Sequence, residues 1–62
     1  MNSLRTKFPP TLIGKKVKLT LDDGTTVTDV CQYIDYDEDD GCVIFEYDSY
    51  ALDYIKKIEE VK

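Results

Sequence analysis

The chain has 62 residues, 42% hydrophobic and 34% charged, with a formal net charge of −5 and no histidine. A chain of this size makes one small domain that buries only about 60% of the surface its unfolded form exposes, so nearly every large apolar residue is needed inside. Without His it lacks the commonest general base and the usual zinc ligand; it has no run of about 20 apolar residues to span a bilayer and no apolar signal core, so a cytoplasmic protein with no membrane attachment is expected.

Residues 1–11 read as a flexible N-terminal arm. Met1 to Pro10 is polar and lacks periodicity, and Pro9-Pro10 favours extended or polyproline-like backbone, with Phe8 free to dock on the body. Residues 12–62 read as the single domain. Thr11 to Gly14 is either one helical turn closed by Gly14 or a lead into the first strand. In Lys16 to Leu21, Val17, Leu19 and Leu21 alternate with Lys16, Lys18 and Thr20, which predicts a strand with one buried and one wet face. Asp22-Asp23-Gly24-Thr25 is a hairpin signal, because Gly24 takes positive φ without steric cost. Thr25 to Thr28 then opens a second strand rich in β-branched residues. Val27, Cys31 and Tyr33 share one parity, whereas Val30, Ile34 and Tyr36 share the other. A strand that swaps its buried face in this way needs a bulge or bend, expected near Asp29-Val30. Such bends let a short sheet curl over on itself.

Tyr33 to Tyr47 holds two apolar runs around Asp37-Glu38-Asp39-Asp40-Gly41, the composition of two strands joined by a solvated turn. Val43, Phe45 and Tyr47 form one face of the strand after this turn and Cys42, Ile44 and Glu46 the other, so a central strand covered on both sides is expected. The C-terminal segment has two readings. Ala51, Tyr54/Ile55, Ile58 and Val61 fall at helical spacing with Asp48 as N-cap, which would make the fold α+β with a short terminal helix. Alternatively Tyr50 to Leu52 is a short strand, Asp53-Tyr54-Ile55 a single turn and Lys57 to Val61 a last strand, which removes exposed sheet edges.

Leu12 to Val27, with its lead-in, first strand, Asp-Gly turn and bent second strand, resembles the opening of Sm-like proteins. Leu52-Asp53-Tyr54-Ile55-Lys56-Lys57-Ile58 is similar to the single-turn and last-strand segment of Sm-like and Src-homology-3-like small barrels. The resemblance implies an all-β fold, a small five-stranded, strongly bent antiparallel barrel, with ring-like homo-oligomers through edge strands as one mode of assembly. Asp29 stands where Sm proteins place Gly, no Asn lies near Asp39-Asp40-Gly41, and Asp48-Ser49-Tyr50 replaces their basic residue–Gly motif. Uridine binding and its contact residues therefore do not carry over.

Charge is sharply segregated: eleven carboxylates and no Lys or Arg lie between Asp22 and Asp53. No Gly-rich phosphate loop, CxxC pair or nucleophile–imidazole pair is present, so no enzyme, cofactor or metal is expected. Asp35, Asp37, Asp39 and Glu46 approach a calcium-loop spacing, but Asp40 occupies the position that requires Gly, and a charged turn is the simpler reading. Cys31 and Cys42 read as two small buried thiols. Tyrosine beside carboxylate suits a Lys or Arg of a partner through cation–π and ion-pair contact. The expected function is a non-enzymatic protein-binding module, with Tyr36, Tyr47 and Tyr50 as anchors and Asp37, Glu38, Asp39 and Asp48 steering a basic protein surface. Its sharpest form is a phage-type inhibitor that mimics nucleic acid. The alternatives are an Sm-like RNA-binding or regulatory protein using Arg5, Lys7, Lys15, Lys16 and Lys18, disfavoured by the net negative charge, and a structural homo-oligomer.

Overall fold

The computed structural model describes residues 4–62; the first three residues of the segment read as an arm lie outside it. Helix α1 (Leu4–Lys7) is a single turn closed by the Phe8 amide on the Leu4 carbonyl at 2.7 Å. Phe8 is fully buried, and Pro9 is extended and leads into a 3₁₀ turn at Pro10–Leu12. Proline suits that position because its missing N–H has no intrahelical acceptor there. Gly14, at φ 86°, reverses the chain and sends its amide to the Cys31 carbonyl at 2.7 Å.

Six strands follow, in two three-stranded antiparallel sheets. The first has β1 (Lys16–Leu21) at its centre between β2 (Thr26–Val30) and β6 (Ile55–Glu60). The second has β4 (Cys42–Ile44) between β3 (Tyr33–Asp35) and β5 (Ser49–Ala51). The alternation expected of β1 holds, with Val17, Leu19 and Leu21 buried and Lys16 and Lys18 exposed. Gly24 has φ 90° in the hairpin turn, which sets the register Thr20 opposite Thr26.

The strand count is six rather than five because the bent second strand is interrupted. The break falls at Cys31-Gln32, later than Asp29-Val30. The Cys31 amide bonds to the Lys15 carbonyl in the first sheet at 2.9 Å, and the Gln32 amide to the Ile44 carbonyl in the second at 2.8 Å. Consecutive amides thus serve different sheets. Cys31 is fully buried at the corner, and Ile34 beyond it turns the opposite parity inward.

The C-terminal segment is a strand. A second 3₁₀ turn (Leu52–Tyr54) carries the chain from β5 to β6, which pairs along β1 from Leu21 opposite Ile55 to Val17 opposite Glu60. The helical reading of Ala51 to Val61 is overturned: Ile55–Glu60 pairs along β1 and covers an edge of that strand which a terminal helix would leave open, while Ile55 enters the core. That core lies between the sheets and is capped by Phe8 and Leu12. Among the described residues no helix is long and apolar enough to cross a membrane.

One expectation fails clearly. β4 is central in its sheet but covered on one side only: Val43 and Phe45 are buried, while Cys42 and Ile44 on the outer face are half-buried. Tyr47 is not part of the strand: it is 85% exposed in the turn after β4. Cys42 is therefore not a core thiol; both cysteines are free.

Candidate functional site

Strand order decides where the carboxylates meet. β1 ends at Leu21, β3 at Asp35 and β5 at Ala51, and all three run toward the second 3₁₀ turn. The turns that leave them are tied together there. The Asp22 amide donates to the Tyr54 carbonyl at 2.9 Å, and the Leu52 amide to the Gly41 carbonyl at 3.0 Å. One end of the molecule therefore gathers Asp22 and Asp23 from the β1–β2 turn, Asp37 to Asp40 from the β3–β4 turn and Asp53 from the 3₁₀ turn, all exposed.

Local chemistry fixes these turns. Asp37 Oδ1 accepts the Asp39 and Asp40 amides at 2.8 and 3.1 Å, and the Asp37 carbonyl accepts the Gly41 amide at 2.8 Å. These two amides, Asp39 first, hold the Asp37 carboxyl below the usual carboxylate range. Asp23 Oδ1 accepts the Thr25 hydroxyl at 2.7 Å and its amide at 3.0 Å, and Asp23 Oδ2 accepts the Tyr54 hydroxyl at 2.9 Å. The Thr25 bonds, with Tyr54 behind them, lower the Asp23 pKa; the same hydrogen bond to Asp23 raises that of Tyr54.

Of the residues singled out from the sequence, Tyr36, Asp37, Glu38 and Asp39 lie at this acidic end. Tyr36 is half-buried, donates its hydroxyl to the Phe8 carbonyl and has the Arg5 guanidinium 4.4 Å from its ring centroid. Its ring is already occupied by an internal cation. Burial is the chief reason its pKa is raised, with Arg5 opposing. Tyr47 and Asp48 are in the β4–β5 turn, at the opposite end of β4. Tyr50 points inward beside Val43 and packs edge-on to Phe45 at 5.9 Å. Glu46 shares the far turn, so it does not converge with Asp35, Asp37 and Asp39 on a metal.

Asp22, Asp23, Asp53 and Tyr54, not among the residues singled out from the sequence, also lie at this end. The Asp22-Asp23-Gly24 turn and the Asp53-Tyr54-Ile55 turn are each legible in the sequence, but only the antiparallel β1–β6 pairing brings them together.

The basic residues do not form one surface. Arg5 lies over Tyr36, and Lys7 Nζ donates to the Ile55 carbonyl at 3.1 Å, both beside the acidic end. Lys15 and Lys16 sit at the other end of β1, roughly 17 Å along the strand. Lys16 and Lys18 share the outer face of the first sheet, where Lys18 stands opposite Glu59.

No protein-family model, curated protein or solved structure matches this chain.

Proposed function

We propose that this protein is a non-enzymatic binding module whose acidic end engages a basic surface on a protein partner, in the manner of a nucleic-acid mimic that occupies a DNA- or RNA-processing enzyme. The observation that carries the reading is the convergence of exposed carboxylates from three separate turns, held by the Asp22–Tyr54 and Leu52–Gly41 backbone bonds. Fixed charges of one sign steer a cationic partner and lose little on binding, because their backbone is already ordered. Glu38, Asp39, Asp40 and Asp53 present the charge; Asp37 and Asp23 hold the turns that display it. The two sheets are, on this reading, walls of a small barrel of the Sm-like type. Its RNA-binding residues have no counterpart here.

Affinity capture from a nuclease-treated host extract tests the reading. A nucleic-acid-processing enzyme retained in stoichiometric amount, and released by added DNA or RNA, is the expected result. Recovery of bound RNA before nuclease treatment, with no protein retained after it, would overturn it.

A further inference from the structure

The second sheet has an outer face that no other strand or helix among the described residues packs on. Cross-strand pairing puts Tyr33, Ile44 and Ser49 in one row of that face and Asp35, Cys42 and Ala51 in the next, so the apolar strip runs diagonally from Tyr33 through Ile44 and Cys42 to Ala51 with Asp35 and Ser49 at its flanks. Tyr33 is 57% exposed, Ala51 is exposed, and Cys42 and Ile44 are half-buried. An apolar strip on a domain this small is where a partner docks or where copies associate. Charge at its two ends separates these outcomes: the Asp37–Asp40 turn leaves one end of β4, and the turn carrying Glu46 and Asp48 leaves the other. A two-fold pair of copies meeting on this face would bring those carboxylates against one another, at a cost a basic partner does not incur.

We infer that the outer face of β3–β4–β5 is the docking surface for a partner segment with an apolar centre and Lys or Arg at both ends, the centre lying on Tyr33, Ile44 and Ala51 and the basic ends reaching the two acidic turns. This rests on the reading that the partner is basic and adds where, and by what side chains, it is held. Cys42 lies in the middle of the face and reports its occupancy, since the other thiol, Cys31, is fully buried.

Two short synthetic peptides test the proposal, one with leucines at its centre and arginines at both ends, the other with serines in place of the leucines. Calorimetry gives the affinities, and mass spectrometry follows alkylation of Cys42. The leucine peptide is expected to bind at least about tenfold tighter than the serine peptide, to slow Cys42 alkylation, and to lose about tenfold in affinity with Tyr33→Ser. Tyr33 is exposed enough that this variant folds, which a thermal melt checks. Equal binding of both peptides with Cys42 alkylated at its free rate overturns the docking face and leaves the basic-partner reading standing. Binding of neither peptide overturns both. Protection of Cys42 that rises with protein concentration alone, with a dimer mass by light scattering, overturns the proposal in favour of self-association.

Discussion

The hydroxyl of Tyr54 donates to Asp23 Oδ2 at 2.9 Å across 31 positions of sequence, joining the β1–β2 turn to the 3₁₀ turn. The backbone bond from Asp22 to the Tyr54 carbonyl lies beside it, so the turn is held from both its main chain and its side chain. Tyr54→Phe keeps the second bond and removes the first. The expected result is a folded protein in which the Asp23 carboxyl, followed by NMR titration, moves up toward the ordinary value. An unchanged Asp23 titration would show that the bond is not formed in solution.

The pH dependence of stability has two limbs of opposite origin. Asp23 and Asp37 have pKa values lowered in the fold, by hydrogen bonds from Thr25 and from the Asp39 amide respectively. Their contribution is present above the unfolded carboxylate pKa and is lost as pH falls through the lower folded values. Tyr54, raised chiefly by its bond to Asp23, and Tyr36, raised chiefly by burial, contribute below the ordinary phenol pKa and lose that contribution as pH rises through the folded values. Thermal melts across pH should show a plateau that falls on both sides, with Asp23→Asn flattening the acid limb.

Asp37 and its neighbours separate structure from display. Asp37→Ala removes the acceptor of the Asp39 and Asp40 amides and should lower the melting temperature and speed hydrogen exchange at both. Asp37→Asn keeps an acceptor oxygen and should preserve the turn. Glu38→Gln and Asp39→Asn should leave stability unchanged, because neither side chain holds the turn.

Gly41 is required for space and Gly24 for conformation. A Cβ at Gly41 would run into the carbonyl oxygens of Asp37 and Asp35 and lie 2.8 Å from Leu52 Cδ1, whereas one at Gly24 meets nothing within 4 Å. Gly41→Ala is expected to cost about 1–3 kcal/mol by overpacking against backbone that cannot move aside. Gly24→Ala should cost about 1–2 kcal/mol from its left-handed φ alone. Urea denaturation gives both, and only the Gly41 variant should perturb Leu52.

Phe8 is the residue through which the N-terminal segment reaches the core, and it is fully buried. Phe8→Ala should cost about 3–5 kcal/mol, enough to unfold much of a domain this small. Tyr36→Phe, which removes only the bond to the Phe8 carbonyl, should cost about 1 kcal/mol. Circular dichroism melts distinguish the two.

The local elements were legible where one face of a strand is wet. Alternation in β1, the Gly24 turn and the acidic turn ending at Gly41 all follow from residue chemistry within a few positions. The parity change between Cys31 and Ile34 announced a bend, but its exact residue depends on which amide finds which sheet, and that is a long-range matter. Tyr50 and Tyr47 look alike in sequence; one packs on Phe45 and the other is 85% exposed because the strand stops at Ile44. The placement of the singled-out tyrosines at two ends of β4, and the meeting of Asp22, Asp23, Asp53 and Tyr54 at one of them, follow from strand order. No local pattern encodes that order.

The claim that the acidic end, and not the lysine-bearing face, meets the partner is tested most directly by capture with two variants in parallel. One carries Glu38→Gln, Asp39→Asn, Asp40→Asn and Asp53→Asn; the other carries Lys15→Gln, Lys16→Gln and Lys18→Gln. Quantitative mass spectrometry of the two eluates should show the partner lost with the first variant and retained with the second. Retention by the first and loss by the second, with RNA in the wild-type eluate, would contradict the account.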